Sequence, residues 1–329
     1  MSSPRVRLVA GGYSDAPAGK RALGAFREAL NRCGLIDGHD YTLEFVFAEG
    51  RVDAFDDLML RDTEDVAVLV PLDSRALVPV NRPGTAGEGP LVVTTFTSEP
   101  VLRGIAHTVD EPGGKINGLT VPTNALTWTR FQLLSEAVPH AKRVGVLRFL
   151  GQRGAIGDEV RRRELGAALE AARAFGMEIV ADLGIKGNPA TGDHLQEINQ
   201  VFGRIEREDI DALIVLQIPT LNHNLFMLEH RVKSLKVPSM FSYKEFAESG
   251  ALMAYGPDGM TMVRQAASYV ARILRCPPAE RREMVKRMPL EEPRRYHLAL
   301  NLGTARRLGM EPSWGLINLA ASADLLMES

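Results

Sequence analysis

The feature that most constrains the fold of this chain is a short apolar segment followed by an amphipathic one, repeated along its 329 residues. Ala212–Leu216 contains no polar residue, which is typical of a strand covered on both faces in a parallel sheet. Val6–Ala10 precedes Gly19–Cys33, where apolar residues recur at the three- and four-residue steps of a helix. Strands that alternate with helices in this way predict a doubly wound α/β fold.

The predicted strands form two series, separated by a segment rich in proline and glycine, Glu111–Gly118. The strands are Val6–Ala10, Tyr41–Phe47, Val66–Val70 and Leu91–Thr94, then Val144–Leu147, Ile179–Asp182, Ala212–Leu216, Pro238–Phe241 and Leu252–Ala254. Further helices are predicted at Ala125–Ala137, Gly157–Phe175, Gly192–Arg207 and Asn222–Leu235. The chain length favours about two domains, and we expect the boundary at Glu111–Gly118.

Charge and cysteine content exclude several classes of protein. The net charge of -2 argues against a broad electrostatic surface for nucleic acid or anionic lipid. Cys33 and Cys276 are far apart and form no zinc or redox motif, and Cys33 is interpreted as a core thiol. A racemase with paired cysteines is therefore rejected, because neither cysteine follows a strand. We expect no metal, no cofactor and no nucleic-acid partner.

Hydroxyl, aromatic and singly charged side chains follow most of the predicted strands. In open α/β sheets, ligands bind beyond the carboxyl ends of the strands. Hydroxyls, helix N-termini and one or two charges could hold a small zwitterion or organic acid, and aromatic rings could contact its apolar part. The alternative for any single hydroxyl is a helix cap or a turn, which is the commonest role of strand-end Ser and Thr.

Motifs for catalysis are weak in this sequence. Neither a Walker A motif nor a dinucleotide-binding glycine motif occurs. The loop Gly151–Gly157 follows a strand and precedes a helix, so a nucleotide-dependent α/β enzyme remains one alternative. His194 and Glu197 are one helical turn apart but have no third metal ligand at a suitable spacing.

Several longer segments, in the same order along the chain, match the pattern of one protein family. They are Phe26–Gly38, Ala48–Arg51, Glu99–Val101, Pro112–Thr120, Leu133–Pro139, Phe246–Asp258 and Leu300–Gly309. Together they resemble the substrate-binding proteins of ABC transporters, in the tryptophan/tyrosine-type group. The resemblance runs from about Val6 to the C-terminus.

The resemblance implies a type I periplasmic binding protein architecture, with two Rossmann-like lobes of parallel sheet joined by hinge crossovers around a ligand cleft. It places residues 1–119 and 252–288 in the N-terminal lobe and residues 120–251 and 289–329 in the C-terminal lobe. It also implies a non-enzymatic receptor that closes around an amino acid or a small organic acid, aromatic ones included. The implied partner is an ABC permease in the membrane, and the receptor is expected to be a monomer or a weak dimer.

In such proteins the ligand contacts the loops that follow the strands. Carried over to this sequence, the ligand-binding residues are Tyr13, Ser14, Asp73, Ser74, Thr95, Phe96, Thr120, Phe149, Gln217, Thr220, Tyr243 and Asp258. Asp73 and Asp258 depart from the family pattern, and either could pair a ligand ammonium. Arg75 or Arg148 could then pair a carboxylate.

The resemblance also implies a periplasmic or other extracytoplasmic location. The apolar residues after Met1–Arg7 are too few for the apolar region of a signal peptide. A cytoplasmic location, with the chain acting as a ligand-sensing domain for a signalling or regulatory partner, is therefore the alternative.

Overall fold

The computed structural model describes residues 3–51, 53–82, 89–151, 155–186, 194–218, 221 and 225–328. The chain divides into two compact units, each made of two separate segments. The first unit comprises Met1–Val121 and Gly259–Arg294, and the second comprises Pro122–Asp258 and Arg295–Ser329. Among the described residues, no helix is long and apolar enough to cross a membrane.

Strands and helices alternate along most of the chain. The strands are β1 (Arg5–Ala10), β2 (Thr42–Phe47), β3 (Val66–Pro71), β4 (Leu91–Thr94), β5 (Ile116–Gly118), β6 (Arg143–Phe149), β7 (Glu178–Ile185), β8 (Ala212–Val215), β9 (Ser239–Phe241), β10 (Met253–Pro257), β11 (Tyr296–Asn301) and β12 (Leu326–Met327). The helices are α1 (Pro17–Arg32), α2 (Ala54–Leu60), α3 (Leu77–Val80), α4 (Thr123–Ala137), α5 (Ala155–Ala174), α6 (His194–Ile205), α7 (Leu225–Lys233), α8 (Lys244–Glu248), α9 (Gly259–Arg275), α10 (Arg281–Arg287), α11 (Leu302–Arg307) and α12 (Trp314–Ala321).

The first unit contains a parallel sheet in the order β2-β1-β3-β4-β5. On one face, Val9, Leu69 and Val92 pack with Phe55 and Met59 of α2 in a buried cluster. Helices α1 and α9 pack against each other in the same unit. The doubly wound α/β fold predicted from the periodicity is therefore present.

The second unit contains a sheet in the order β12-β11-β10-β9-β8-β6-β7. Its pairs are parallel except β10–β11, which is antiparallel. Alternate residues of β8 enter two different buried clusters: Leu213 and Val215 join one, and Ala212 and Ile214 join the other. Both faces of this strand are covered, as its apolar sequence predicts.

The predicted boundary segment Glu111–Gly118 lies inside the first unit. Its last three residues form β5, which pairs with β4 in parallel. The buried Asn117 side chain donates hydrogen bonds to the carbonyl oxygens of Val285 (2.9 Å) and Met288 (2.5 Å). A polar, glycine-containing segment becomes a core strand here because a distant part of the chain accepts its hydrogen bonds.

The limits of the two units also differ from those expected at two further places. Strand β10 pairs with β9 and β11, so it belongs to the second unit and not to the first. The segment from Pro289 to Arg294 belongs to the first unit, where Leu290 N donates to Val109 O at 2.8 Å. Backbone hydrogen bonding decides both assignments. Cys33, expected in the core, is partly exposed after the end of α1.

Candidate functional site

Both sheets repeat one strand order, which places the loops beyond their carboxyl ends in comparable positions. In the first unit the order is β2-β1-β3-β4-β5, and in the second it is β7-β6-β8-β9-β10. Neighbouring strands β1 and β3, and likewise β6 and β8, lie where the winding reverses direction. Ligands of doubly wound sheets bind at this point.

The predicted site residues follow these strands. In the first unit, Tyr13 and Ser14 follow β1, Asp73 and Ser74 follow β3, Thr95 and Phe96 follow β4, and Thr120 follows β5. In the second unit, Phe149 ends β6, Gln217 follows β8, Tyr243 follows β9, and Asp258 follows β10. Thr220 lies outside the described residues, as do three residues of the loop Gly151–Gly157. The structure thus brings each predicted set to the carboxyl edge of one sheet.

Asp73 in the first unit is bound by Arg75 of the same loop. Nη2 of Arg75 lies 2.6 Å from Oδ2 of Asp73, and Nε lies 3.1 Å from each carboxylate oxygen. The backbone N–H of Arg75 also donates to Oδ1 at 2.9 Å, which caps the short 3₁₀ helix Ser74–Ala76. The carboxylate side chain is only 1% exposed. The interpretation of these two residues as separate ligand partners is therefore weakened, since each neutralises the other.

The remaining predicted residues of the first unit differ in their freedom to contact a ligand. Thr95 is buried, and its hydroxyl donates to Pro71 O at 3.1 Å. Thr120 is also buried, and its backbone N–H donates to Glu291 O at 2.9 Å. Tyr13 and Phe96 are partly exposed. The two rings are the better ligand candidates in this unit.

The charged candidates of the second unit are also paired within that unit. Lys244 Nζ lies 3.0 Å from Oδ2 of Asp258. Burial lowers the pKa of Lys244, but the hydrogen bond and charge of Asp258 outweigh burial and raise the pKa overall. Arg148 donates two hydrogen bonds to Asp182, at 2.7 and 2.8 Å.

Gln217 and Tyr243 form a polar pair at the ends of β8 and β9. The amide nitrogen of Gln217 donates to the hydroxyl of Tyr243. The amide oxygen of Gln217 is buried and has no hydrogen-bond partner among the residues that the structure describes. Tyr243 and Phe149 are partly exposed and pack on the same buried cluster, which holds both rings in place.

Arg130 on α4 is a buried charged residue that lies outside the predicted strand-end positions. It is 1% exposed, and its Nε donates to Tyr255 O at 2.8 Å. Burial lowers the pKa of Arg130 to about 10, an effect that Tyr243, Glu164 and Tyr255 partly oppose. A signal was present in the sequence, because Arg130 lies four residues after Leu126 and four before Leu134, on the core-facing side of the helix.

Gly256 on β10 allows a close backbone approach beside Arg130. A Cβ at this position would lie 2.0 Å from Ser242 O and 3.6 Å from Nη2 of Arg130. No side chain larger than hydrogen fits against Ser242 without a backbone shift. The guanidinium group of Arg130 therefore lies against the carboxyl end of β10.

The family of this chain is decided by a match over nearly its whole length. A family model described as ABC transporter substrate binding protein matches residues 15–323. The chain belongs to this family. The family consists of solute-binding proteins and not of enzymes, and it is normally extracytoplasmic. The family predicted from the sequence is confirmed.

Solved structures similar to this ABC transporter substrate-binding protein span almost the whole chain. One is a conserved domain protein from Vibrio cholerae (18% identity, TM-score 0.77, covering 99% of this chain and 100% of that chain). Another is an ABC domain from Streptococcus pneumonia in complex with L-Trp (14% identity, TM-score 0.76, covering 97% of this chain and 98% of that chain). A third is a solute binding protein from R. palustris in complex with benzoate (10% identity, TM-score 0.60, covering 91% of this chain and 93% of that chain).

At these identities the structural similarity shows the fold alone. That fold is the type I periplasmic binding protein fold, as the sequence resemblance implied. No curated protein matches this substrate-binding protein in sequence.

Proposed function

We propose that this protein is the receptor of an ABC importer for an amino acid or a small organic acid, aromatic ones included. The observation that carries the proposal is the family match, which extends over both units. L-Trp and benzoate, found in two structures of the same fold, each combine an apolar group with a carboxylate. The proposed location is extracytoplasmic, the proposed partner is an ABC permease, and the proposed state is a monomer or weak dimer.

The predicted strand-end residues are the proposed ligand contacts. In the second unit, the rings of Phe149 and Tyr243 are partly exposed, and both pack against the same buried apolar cluster. The amide oxygen of Gln217, which has no hydrogen-bond partner in the part of the chain that the structure describes, can accept a hydrogen bond from a ligand N–H group. An apolar surface with a few fixed polar groups suits a small organic ligand.

A thermal-shift screen tests the proposed ligand class. We expect at least one compound among L-tryptophan, L-tyrosine, L-leucine and benzoate to raise the melting temperature. A ligand present at 100 times its Kd adds about 2.7 kcal/mol to the free energy of unfolding, because it binds the native state alone. Glucose and ATP serve as controls for a sugar ligand and for the nucleotide-dependent alternative. If amino acids and organic acids leave the melting temperature unchanged at millimolar concentration, the proposed ligand class is wrong.

Alanine substitution of Phe149 or Tyr243 tests whether the rings contact the ligand found in the screen. We expect each variant to bind it more weakly by about 1–3 kcal/mol, the loss of a ring packed on an apolar ligand. Isothermal titration calorimetry gives the affinities. Tyr243→Phe separates the ring from the hydroxyl that binds Gln217.

The matched control for these two variants is Trp314→Ala on α12, because the Trp314 side chain is 78% exposed. Its affinity for the same ligand is expected to equal that of the wild type. Wild-type affinity in both Phe149→Ala and Tyr243→Ala would place the ligand elsewhere.

A further inference from the structure

We propose that Arg130 is the residue of the second unit that binds the carboxylate of the ligand. The inference rests on the proposed function and adds to it a chemical requirement, namely that the ligand carries an anionic group. The predicted strand-end positions do not include Arg130, because it lies in the middle of a helix.

Arg130 is buried, and most of its hydrogen-bonding capacity is unused among the described residues. A guanidinium group has five N–H donors, and one hydrogen bond, to Tyr255 O, is formed among the described residues. No carboxylate among those residues lies within ion-pair distance of Arg130. A buried cation is costly unless it is paired and hydrogen-bonded, so an arriving anion would gain a strong interaction there.

Arg7 in the first unit shows how a buried arginine with a structural role is satisfied. It is 5% exposed, and its Nε donates to Glu44 at 2.7 Å. Its terminal nitrogens donate to the backbone oxygens of Leu58, Arg61 and Asp62, at 3.1, 2.9 and 2.9 Å. Arg130 is at least as buried, but one hydrogen bond is its whole set of partners among the described residues.

Two other cations near the strand ends of this unit, Arg148 and Lys244, already have acidic partners. Arg148 is paired with Asp182, and Lys244 is paired with Asp258. A carboxylate bound by either cation would have to compete with an acid of the protein itself. Arg130 can instead accept a carboxylate on both terminal nitrogens, which is the favoured geometry of an arginine–carboxylate pair.

The surroundings of Arg130 also suit a ligand with an anionic group. Tyr243, Glu164 and Tyr255 lie near enough to oppose in part the lowering of the Arg130 pKa by burial. Gln217 donates to the Tyr243 hydroxyl. The same unit thus holds a buried cation, two phenol rings and an amide oxygen of Gln217 that has no hydrogen-bond partner among the described residues. This combination favours a molecule with a carboxylate, an apolar body and an N–H donor.

The test compares ligands that differ only in the carboxylate, using the full chain. The probes are L-tryptophan with its methyl ester, and benzoate with methyl benzoate, each titrated by calorimetry. We expect the wild type to bind the tighter-binding acid at least about 50-fold more tightly than the ester of that acid. This factor is the typical contribution of a charge-assisted hydrogen-bonded pair. In Arg130→Gln, the affinity for the acid should decrease to about the affinity for the ester, while the affinity for the ester should not change.

Arg143→Gln is the matched control, because Arg143 is the first residue of β6, away from the strand-end positions, and pairs with Asp209, so it should not contribute to the preference for the acid. Arg130→Lys keeps the charge without the planar fork and should reduce that preference about tenfold, which gives a second reading if Arg130→Gln does not fold. Sodium sulfate tests whether any small anion suffices. Tighter binding of sulfate than of either carboxylate would overturn the assignment.

The outcomes separate this inference from the proposed function. An acid that binds the wild type no better than its ester, or a preference that survives in Arg130→Gln, would reject the role of Arg130 and leave the receptor function standing. If the wild type binds none of the four probes and none of the other amino acids and organic acids of the screen, both the role of Arg130 and the proposed receptor function are rejected.

Discussion

Replacing Gly118 with alanine is expected to lower the free energy of unfolding by about 3–5 kcal/mol, the combined cost of backbone strain and overpacking. Gly118 ends β5 with a φ of +120°, a backbone conformation that residues other than glycine rarely adopt. A Cβ there would lie 2.2 Å from Thr94 O and 2.8 Å from Thr94 N. Both atoms belong to the backbone of β4, so the paired strands would have to separate.

Chemical denaturation followed by circular dichroism measures this loss as a lower denaturation midpoint. Gly24→Ala is the control in the same unit, because no heavy atom lies within 4 Å of an added Cβ in the interior of α1. That variant should gain about 0.5–1 kcal/mol from the helix preference of alanine. Equal midpoints for the two variants would show that the β4–β5 contact tolerates a side chain.

Replacing Asp73 with alanine is expected to cost about 2–4 kcal/mol, slightly less than a fully buried ion pair because Arg75 keeps some contact with water. The substitution removes three side-chain contacts with Arg75 and the cap on its backbone N–H. The Arg75 side chain, 16% exposed, would be left as a largely buried cation. Asp73→Asn keeps an oxygen for the cap and should lose about half as much.

The control for this substitution is Asp57→Asn in the same unit. Asp57 on α2 pairs with Arg61, the residue that follows this helix, and both side chains are more than half exposed. Exposed pairs of this kind contribute about 0.5 kcal/mol or less. Thermal and chemical unfolding of both variants measures the difference, and a loss at Asp73 as small as that at Asp57 would mean that the buried pair does not stabilise the loop.

The layered fold could be predicted because apolar periodicity is a local property of the sequence. The apolar segment Ala212–Leu216 became β8, with residues on both faces buried, within one residue of its predicted end. The segment Glu111–Gly118 could not be placed in the same way. Its glycines indicate a break, whereas its role as β5 depends on β4 and on carbonyl groups at Val285 and Met288.

The candidate site was predictable in position but not in charge. Residues that follow strands must lie at the carboxyl edge of a parallel sheet, so the sequence predicts the position of Gln217 and Tyr243 but not the hydrogen bond between them. The partner of a charged side chain is set by tertiary packing. Asp258 and Arg148, expected to be available to a ligand, are already paired, and the buried Arg130 lies outside the predicted strand-end positions.

By itself, the sequence determined the α/β class, the family and the strand-end positions of the candidate site, because these depend on local patterns and on ordered motifs. Only the tertiary structure decided which charges are neutralised and where the two units divide. The reason is that an ion pair such as Lys244–Asp258, or a strand pairing such as β10–β11, joins residues that no local pattern connects. The lack of a carboxylate partner for Arg130 among the described residues was likewise decided by the tertiary structure. It depends on which residues lie near Arg130 in space, and those residues are distant in sequence.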